Sequence, residues 1–217
     1  MENIKKNREQ VLHALNWRYA VKIFDREKIV SEDDIHTILE SARLSPSSSG
    51  LEMWKFFVIK NPEIRAKLRE VSYDQPKITE ASHLIVITYR TDIAENIGRE
   101  RLERTARIQN QKIEELGSYK DYLDNTISGA IKNGNALEWS KAQSYIALGI
   151  MIETASLLGV DNGPMEGFMS EKVDEILGLA SQNLKSATML ALGYRGNDPA
   201  STKPKVRREF NEVIEFI

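Results

Sequence analysis

The sequence predicts a mixed α and β fold. Three short apolar runs of strand length carry the β character: "KFFVIK" (55–60), "HLIVITYR" (83–90) and "SATMLALGYR" (186–195). Between them lie segments whose apolar residues recur at helical spacing, and strands alternating with helices exclude the all-α and all-β classes. A chain of 217 residues, 41% hydrophobic and 29% charged, has the composition of a globular protein with one substantial core. We expect a single domain over 1–217 with an inserted helical region at about 92–133.

The elements follow in order. Residues 3–16 set Ile4, Val11, Leu12 and Leu15 among charges, the pattern of an amphipathic helix. "RYAVKIF" (18–24) alternates and reads as extended, which places Arg18 and Lys22 together on the even-numbered face. Two accounts of that pair stay open from these residues alone: the solvated face of an edge strand, or an anion held inside the fold. Ser31 then serves as a helix N-cap with acids in the first turn of "SEDD", and Ile35, Ile38, Leu39 and Ala42 continue at helical spacing. The loop "SPSSSGLEMW" intervenes from Ser45. After the strand at 55–60, Pro62 opens the helix "PEIRAKLREV", and the strand at 83–90 follows.

Residues 92–133 are heavily charged with few large apolar side chains, which suits exposed helices laid over the surface rather than core. Glu138 to Val160 is the longest apolar helix. Its middle, Tyr145 to Ile152, is apolar almost all round and is expected to be buried on every side, within the domain or against a second subunit. "VDNGPMEGF" (160–168) reads as a glycine-rich turn with Pro164 and Gly167 in a close approach, and 170–177 as a short helix. "KPKVRREFNEVIEFI" closes the chain.

Several functions are excluded or disfavoured. A net charge of −2 argues against nucleic acid as the main partner. With no cysteine there is no disulfide, thiolate metal site or cysteine nucleophile. His13, His36 and His83 are scattered without an HExxH pattern, so we expect no metal site. No GxGxxG, GxxxxGK[ST] or GxSxG is present, which removes the support for a Rossmann turn, a P-loop or a hydrolase elbow. The apolar run "YIALGIMI" (145–152) is too short to span a bilayer, and the amino-terminal stretch lacks a secretory signal, so no membrane partner and a cytoplasmic location are expected. An enzyme of this composition would draw its reactive atoms from an organic cofactor.

Four segments together resemble the nitroreductase family of FMN-dependent NAD(P)H oxidoreductases. "RYAVKIF" is similar to the family's Arg-x-Ser-x-Lys-x-Phe start. "ARLSPSSSGLEMWKFFVI" is similar to its Ala-Arg-x-Ala/Ser-Pro-Ser-Ser loop ending in Trp and an apolar strand. "DQPKITEASHLIVI" matches a segment ending Ala-Ser-His before a strand, and "GPMEGF" is followed near the end by "KPKVR". The order and spacing match from 18 to 207, and the branch resembled is that of oxygen-insensitive nitroreductases and dihydropteridine-reductase-like enzymes.

The resemblance implies an α+β nitroreductase fold, a central and mostly antiparallel sheet wrapped by helices, in an interlocked homodimer with one FMN at each of two subunit-interface sites. Arg18 is expected at the FMN phosphate with Lys205 and Arg207, and Tyr19 and Ala20 beside it; Ala20 replaces a hydroxyl residue. Lys22 and Lys77 are expected at the N1/O2 edge of the ring, and Gln75 and Asp74 at its pyrimidine edge. Asp74 stands where related enzymes commonly carry Asn, so it can accept from the ring N3–H but not donate to O2. Pro46, Ser47 and Ser48 are expected near the ribityl chain. Pro164 shapes the turn that brings backbone N–H groups of Glu166 and Gly167 to N5 and O4. The implied reaction is ping-pong: NAD(P)H gives hydride to N5, with Lys22 and Glu166 assisting, and a nitroaromatic or quinone then takes its place. Alternatives are a different small-molecule acceptor (a dihydropteridine, an enone or free flavin), a non-catalytic FMN-binding protein, or a dimeric interaction protein whose cations are all solvated.

Overall fold

The computed structural model describes residues 2–94 and 96–217. Its centre is a sheet of β1 (Trp54–Val58), β2 (His83–Arg90), β3 (Asp161–Met165) and β4 (Leu184–Gly193), in spatial order β1-β2-β4-β3 with every neighbouring pair antiparallel. The α+β class and all three expected strands are therefore present. β2 and β4 hold the middle, which is why their apolar runs are nearly continuous: both faces are covered. Side chains alternate across a sheet, so Leu84, Val86, Met189 and Ala191 enter one core while Ile85, Ile87, Leu190 and Leu192 enter the other.

The second core is covered by α2 (Glu32–Arg43) and the long α7 (Ala136–Leu157). The first is covered by α3 (Pro62–Glu70), the one-turn α4 (Lys77–Glu80), α8 (Ser170–Leu177), and Val21 and Phe24 of the segment that follows α1 (Glu2–Trp17). Local chemistry sets the helix starts. The Ser31 hydroxyl accepts the Asp34 N–H at 3.1 Å with three acids in the first turn of α2. The Asn61 side chain accepts from Glu63 and Ile64 ahead of α3, whose first residue is Pro62.

Three sequence expectations need correction. Residues 160–168 are not simply a turn, since Asp161–Met165 is an edge strand. Pro164 lacks an N–H, which an edge position tolerates. The close approach falls at Gly163, where a Cβ would meet the Val21 carbonyl oxygen at 2.7 Å. The 18–24 segment, second, does not alternate. Val21 and Phe24 are buried, Lys22 and Ile23 are exposed, and the chain bends at 22–23. Its N–H groups go to three places: Val21 to Asn162 O (3.1 Å), Lys22 to the Asp198 carboxylate (2.9 Å) and Asp25 to Tyr194 O (2.8 Å). Crossing from β3 to the end of β4 turns a two-residue repeat into a three-residue one.

Third, the 92–133 region is charged outside but encloses a core of its own. α5 (Ile97–Gln109) and α6 (Gly117–Lys132) bury Ile97, Leu102, Leu123 and Ile127 against Leu51 and Met53. One apolar stripe per helix is enough for that. α7 buries Ala147, Leu148, Met151 and Ala155 within one chain, while Ala142, Ile146, Gly149 and Leu157 form an exposed stripe, so the domain alone does not bury it on every side.

Gly163→Ala is expected to destabilise the protein by about 1–3 kcal/mol, because the obstacle is backbone that cannot swing aside. Gly129→Ala on α6, where a Cβ meets nothing within 4 Å, is expected to be neutral or to stabilise by up to about 1 kcal/mol. Urea unfolding of the two variants beside the parent protein measures both.

Candidate functional site

The two ends of the chain meet at the end of α1. Lys205 Nζ donates to Leu15 O (2.6 Å) and Arg18 O (2.5 Å) where the last carbonyls of that helix favour a cation. This lays residues 203–207 across 16–20, and the two stretches line a cavity of about 430 Å³ that includes Arg18, Tyr19, Ala20, Lys205 and Arg207. Arg18 Nε is buried there without a hydrogen-bond partner among the described residues. Burial and the neighbouring Arg207 push the Arg18 pKa below its ordinary value, and burial together with Arg18 and Arg207 does the same to Lys205. Among the described residues no carboxylate makes an ion pair with Arg18, Lys205 or Arg207. A partly buried guanidinium with an unpartnered Nε and no counter-charge is costly.

What holds the 16–20 stretch was not anticipated from sequence. Arg195 lies between the rings of Trp17 and Tyr19, its guanidinium carbon 4.4 and 4.7 Å from their centroids. It also makes a bidentate pair with the buried Asp161, through Nη2 at 2.5 Å and Nε at 2.9 Å, and its backbone N–H donates to the same carboxylate at 2.8 Å. Asp198 is the second buried acid. Burial opposes its ionisation, but N–H donors from Lys22 and Ala200 at 2.9 Å outweigh that and hold its carboxyl below the usual carboxylate range. The Tyr19 hydroxyl is pushed up to about 12 by burial and by the Asp198 carboxylate beside it. The 34-residue gap hides the Asp161–Arg195 pair from sequence reading, whereas "NDPAST" did carry a signal: an Asp before Pro that caps the following turn, as Asp198 does.

Lys22 lies four residues from Arg18, at most about 13 Å along an extended chain, and belongs to a second group. The buried Lys77 points its Nζ toward Pro164 O (3.5 Å), and burial, then Lys22, lowers its pKa. Gln75 donates to Gly167 O at 2.7 Å. The Glu166 carboxylate accepts from the Tyr145 hydroxyl of α7. Asp74 is exposed and bonded to Arg69 Nε at 2.6 Å. Lys22, four residues along the chain from Arg18 and near enough to Lys77 to lower its pKa, lies between the two groups in sequence.

Pro46, Ser47 and Ser48 are elsewhere. Ser48 N–H donates to Gln143 of α7 at 2.8 Å, Ser47 Oγ accepts from Glu52 N–H at 2.9 Å, and Ser49 and Glu52 bond to Tyr122 of α6 and Arg104 of α5. Among the described residues no hydrogen bond or ion pair joins this loop to the cations. Nor does any cluster of three His, Cys, Asp or Glu side chains stand where a metal could be held, and no helix is long and apolar enough to cross a membrane.

The sequence pattern described as the nitroreductase family matches residues 15–194. A Staphylococcus haemolyticus protein with the provisional name NAD(P)H nitroreductase is 39% identical, over 96% of this chain and 98% of its own. Among solved structures, the provisionally named nitroreductase ydfN of Bacillus subtilis superposes with a TM-score of 0.84 at 18% identity, covering 97% of this chain and all of that one. A provisionally named nitroreductase from Exiguobacterium sibiricum, solved in complex with FMN, superposes with a TM-score of 0.77 at 20% identity, covering 95% of this chain and 97% of that one.

Asp161→Ala leaves Arg195 charged and half-buried between two rings, and is expected to cost about 3 kcal/mol or more in urea unfolding. Glu175→Ala, which breaks only the exposed pair with Lys172, is expected to cost less than about 1 kcal/mol.

Proposed function

We propose, from the premise that the chain belongs to the nitroreductase family, that it is an FMN-dependent NAD(P)H oxidoreductase acting on nitroaromatic or quinone-type acceptors. The observation that carries this reading is the buried, unpartnered Nε of Arg18 in a cavity shared with Lys205 and Arg207. Residues present there fit a mononucleotide. Arg18 and Arg207 would hold the phosphate, since planar guanidinium donors match its oxygens. Lys205 spends two of its three N–H bonds on carbonyls and would add charge rather than geometry. Tyr19 and Ala20 would line the same end. Ala20 offers no hydroxyl, a loss of roughly 1 kcal/mol that the charged contacts offset.

Lys22 and Lys77 would stand at the edge of the ring where negative charge accumulates on reduction, with Asp74, Gln75, Pro164, Glu166 and Gly167 around it. Bound there, the flavin supplies a ring that takes a hydride from NAD(P)H and returns reducing equivalents to an acceptor. The chain's own part is to bind, orient and set charge, which agrees with its lack of a histidine constellation. NAD(P)H and the acceptor use one face in turn, a ping-pong order, and the need for reduced nicotinamide goes with a cytoplasmic location. The 92–133 helices would rim the mouth.

Two copies would complete the site. The exposed stripe of α7 and the exposed Phe210, Val213 and Phe216 of the tail offer apolar surface for a homodimer. In that assembly Pro46, Ser47 and Ser48 of one copy face the cations of the other, which accounts for their separation within a single chain.

The purified protein is expected to be yellow, to bleach anaerobically with NAD(P)H, and to recolour on adding nitroaromatic or quinone. Colour without bleaching would leave a flavin-binding protein, and colourless protein that takes up no FMN would overturn the reading. Arg207→Ala is expected to raise the FMN dissociation constant by about 10- to 100-fold, the worth of a charged hydrogen bond. Lys22→Ala is expected to raise it less, since it does not touch the phosphate. Fluorescence titration of FMN at low salt separates the two, and equal affinity for FMN in the parent protein and Arg207→Ala would sink the phosphate assignment.

A further inference from the structure

The stretch just beyond β3 is held from two sides by side chains of distant elements. Tyr145, on the sheet-facing side of α7, donates its hydroxyl to Glu166 Oε1 and lies 3.4 Å from Ala187 O of β4. Gln75, ahead of α4, donates one amide nitrogen to both Gly167 O (2.7 Å) and Ser72 O (3.2 Å). Between these two anchors the Phe168 N–H closes a tight turn onto Glu166 O at 2.9 Å. The N–H groups of Glu166 and Gly167 themselves donate to no acceptor among the described residues. A carboxylate on a flexible stem and a glycine carbonyl are both groups that would ordinarily be left to water. Here each is fixed by a neutral donor from another layer of the fold.

We infer that Tyr145 and Gln75 are positioning residues: together they pin the Glu166–Gly167 peptide so that its two free N–H groups are presented to acceptor atoms of the bound ring. The inference rests on the FMN reading above and reassigns Gln75, whose amide N–H bonds are committed to Gly167 and Ser72 rather than to the ring. It also gives the Glu166 side chain its part. That carboxylate is the handle by which α7 holds the turn.

Preorganised donors bind without the entropy of ordering a loop, so loosening the turn should weaken ring contacts and leave phosphate contacts alone. Tyr145→Phe keeps the ring in its apolar contacts and removes only the hydroxyl; Gln75→Met keeps the length and removes the donor. Both variants, and the double, are compared with the parent protein by two measurements. Amide hydrogen exchange on the flavin-free protein reads the Phe168 N–H, which is expected to exchange several-fold faster in each variant. Titration with FMN and with riboflavin is expected to show both ligands weakened by the same factor, about tenfold for the double variant. Arg207→Ala, by contrast, weakens FMN and spares riboflavin.

Unchanged Phe168 exchange with unchanged ligand affinity would overturn the clamp. Loss confined to FMN would overturn it too, since the effect would then lie at the phosphate. Should the parent protein bind neither flavin, the FMN reading falls, and the exchange of Phe168 still decides whether Tyr145 and Gln75 hold the turn.

Discussion

The structure depends on how residues 18–24 are seated. Val21 and Phe24 enter the core beneath β2 and β4, and their depth is permitted only because Gly163 and Gly193 carry no side chain: a Cβ at either would lie within 2.8 Å of Val21 O or of the Phe24 ring. With those two anchors in place the backbone is fixed by N–H bonds to Asn162, Asp198 and Tyr194. Arg18 and Lys22 are then left with no choice of side. Their positions follow from apolar burial three residues apart, not from any attraction between the cations and the rest of the chain.

That separation explains a local charge pattern at odds with the net charge of −2. The two buried acids nearest the site are already saturated. Asp161 is taken up by Arg195, and Asp198 by the N–H groups of Lys22 and Ala200. Arg18, Lys22, Lys77, Lys205 and Arg207 are consequently left without a carboxylate partner among the described residues. Burial lowers the pKa of Arg18, Lys77 and Lys205, and so does the nearness of other cations. The fold carries this as a standing cost, which the proposed phosphate would relieve.

Much of this was legible in the sequence. The strands at 83–90 and 186–195 were plain because central strands buried on both faces must be continuously apolar, and the edge strand at 55–60 was plain from its own short apolar run. The Ser31 and Pro62 helix starts were plain because capping is local chemistry. β3 was not, since an edge strand containing Gly163 and Pro164 has the composition of a turn, and its strand character comes from β4. Alternation in 18–24 was overruled by contact with two different elements. The convergence of Arg18 with Lys205 and Arg207 was read from resemblance. By contrast, the Arg195 sandwich and the Tyr145–Glu166 contact depend on packing across long sequence separations, for which no local pattern exists.

The separation of Pro46, Ser47 and Ser48 from the cations is itself informative about how the fold is organised. The cations are fixed to the sheet and to the chain ends. The 46–52 loop is fixed to the helical layer, through Gln143 of α7, Arg104 of α5 and Tyr122 of α6, and carries left-handed backbone at Ser49, Gly50 and Glu52 that those contacts hold in place. α7 is the element common to both layers. It anchors that loop near its first turns through Gln143, and the turn beyond β3 through Tyr145. It also exposes Ile146 and Leu157 on the side that neither layer covers. The side of α7 that neither layer covers thus belongs to the same helix that holds both the loop and the turn.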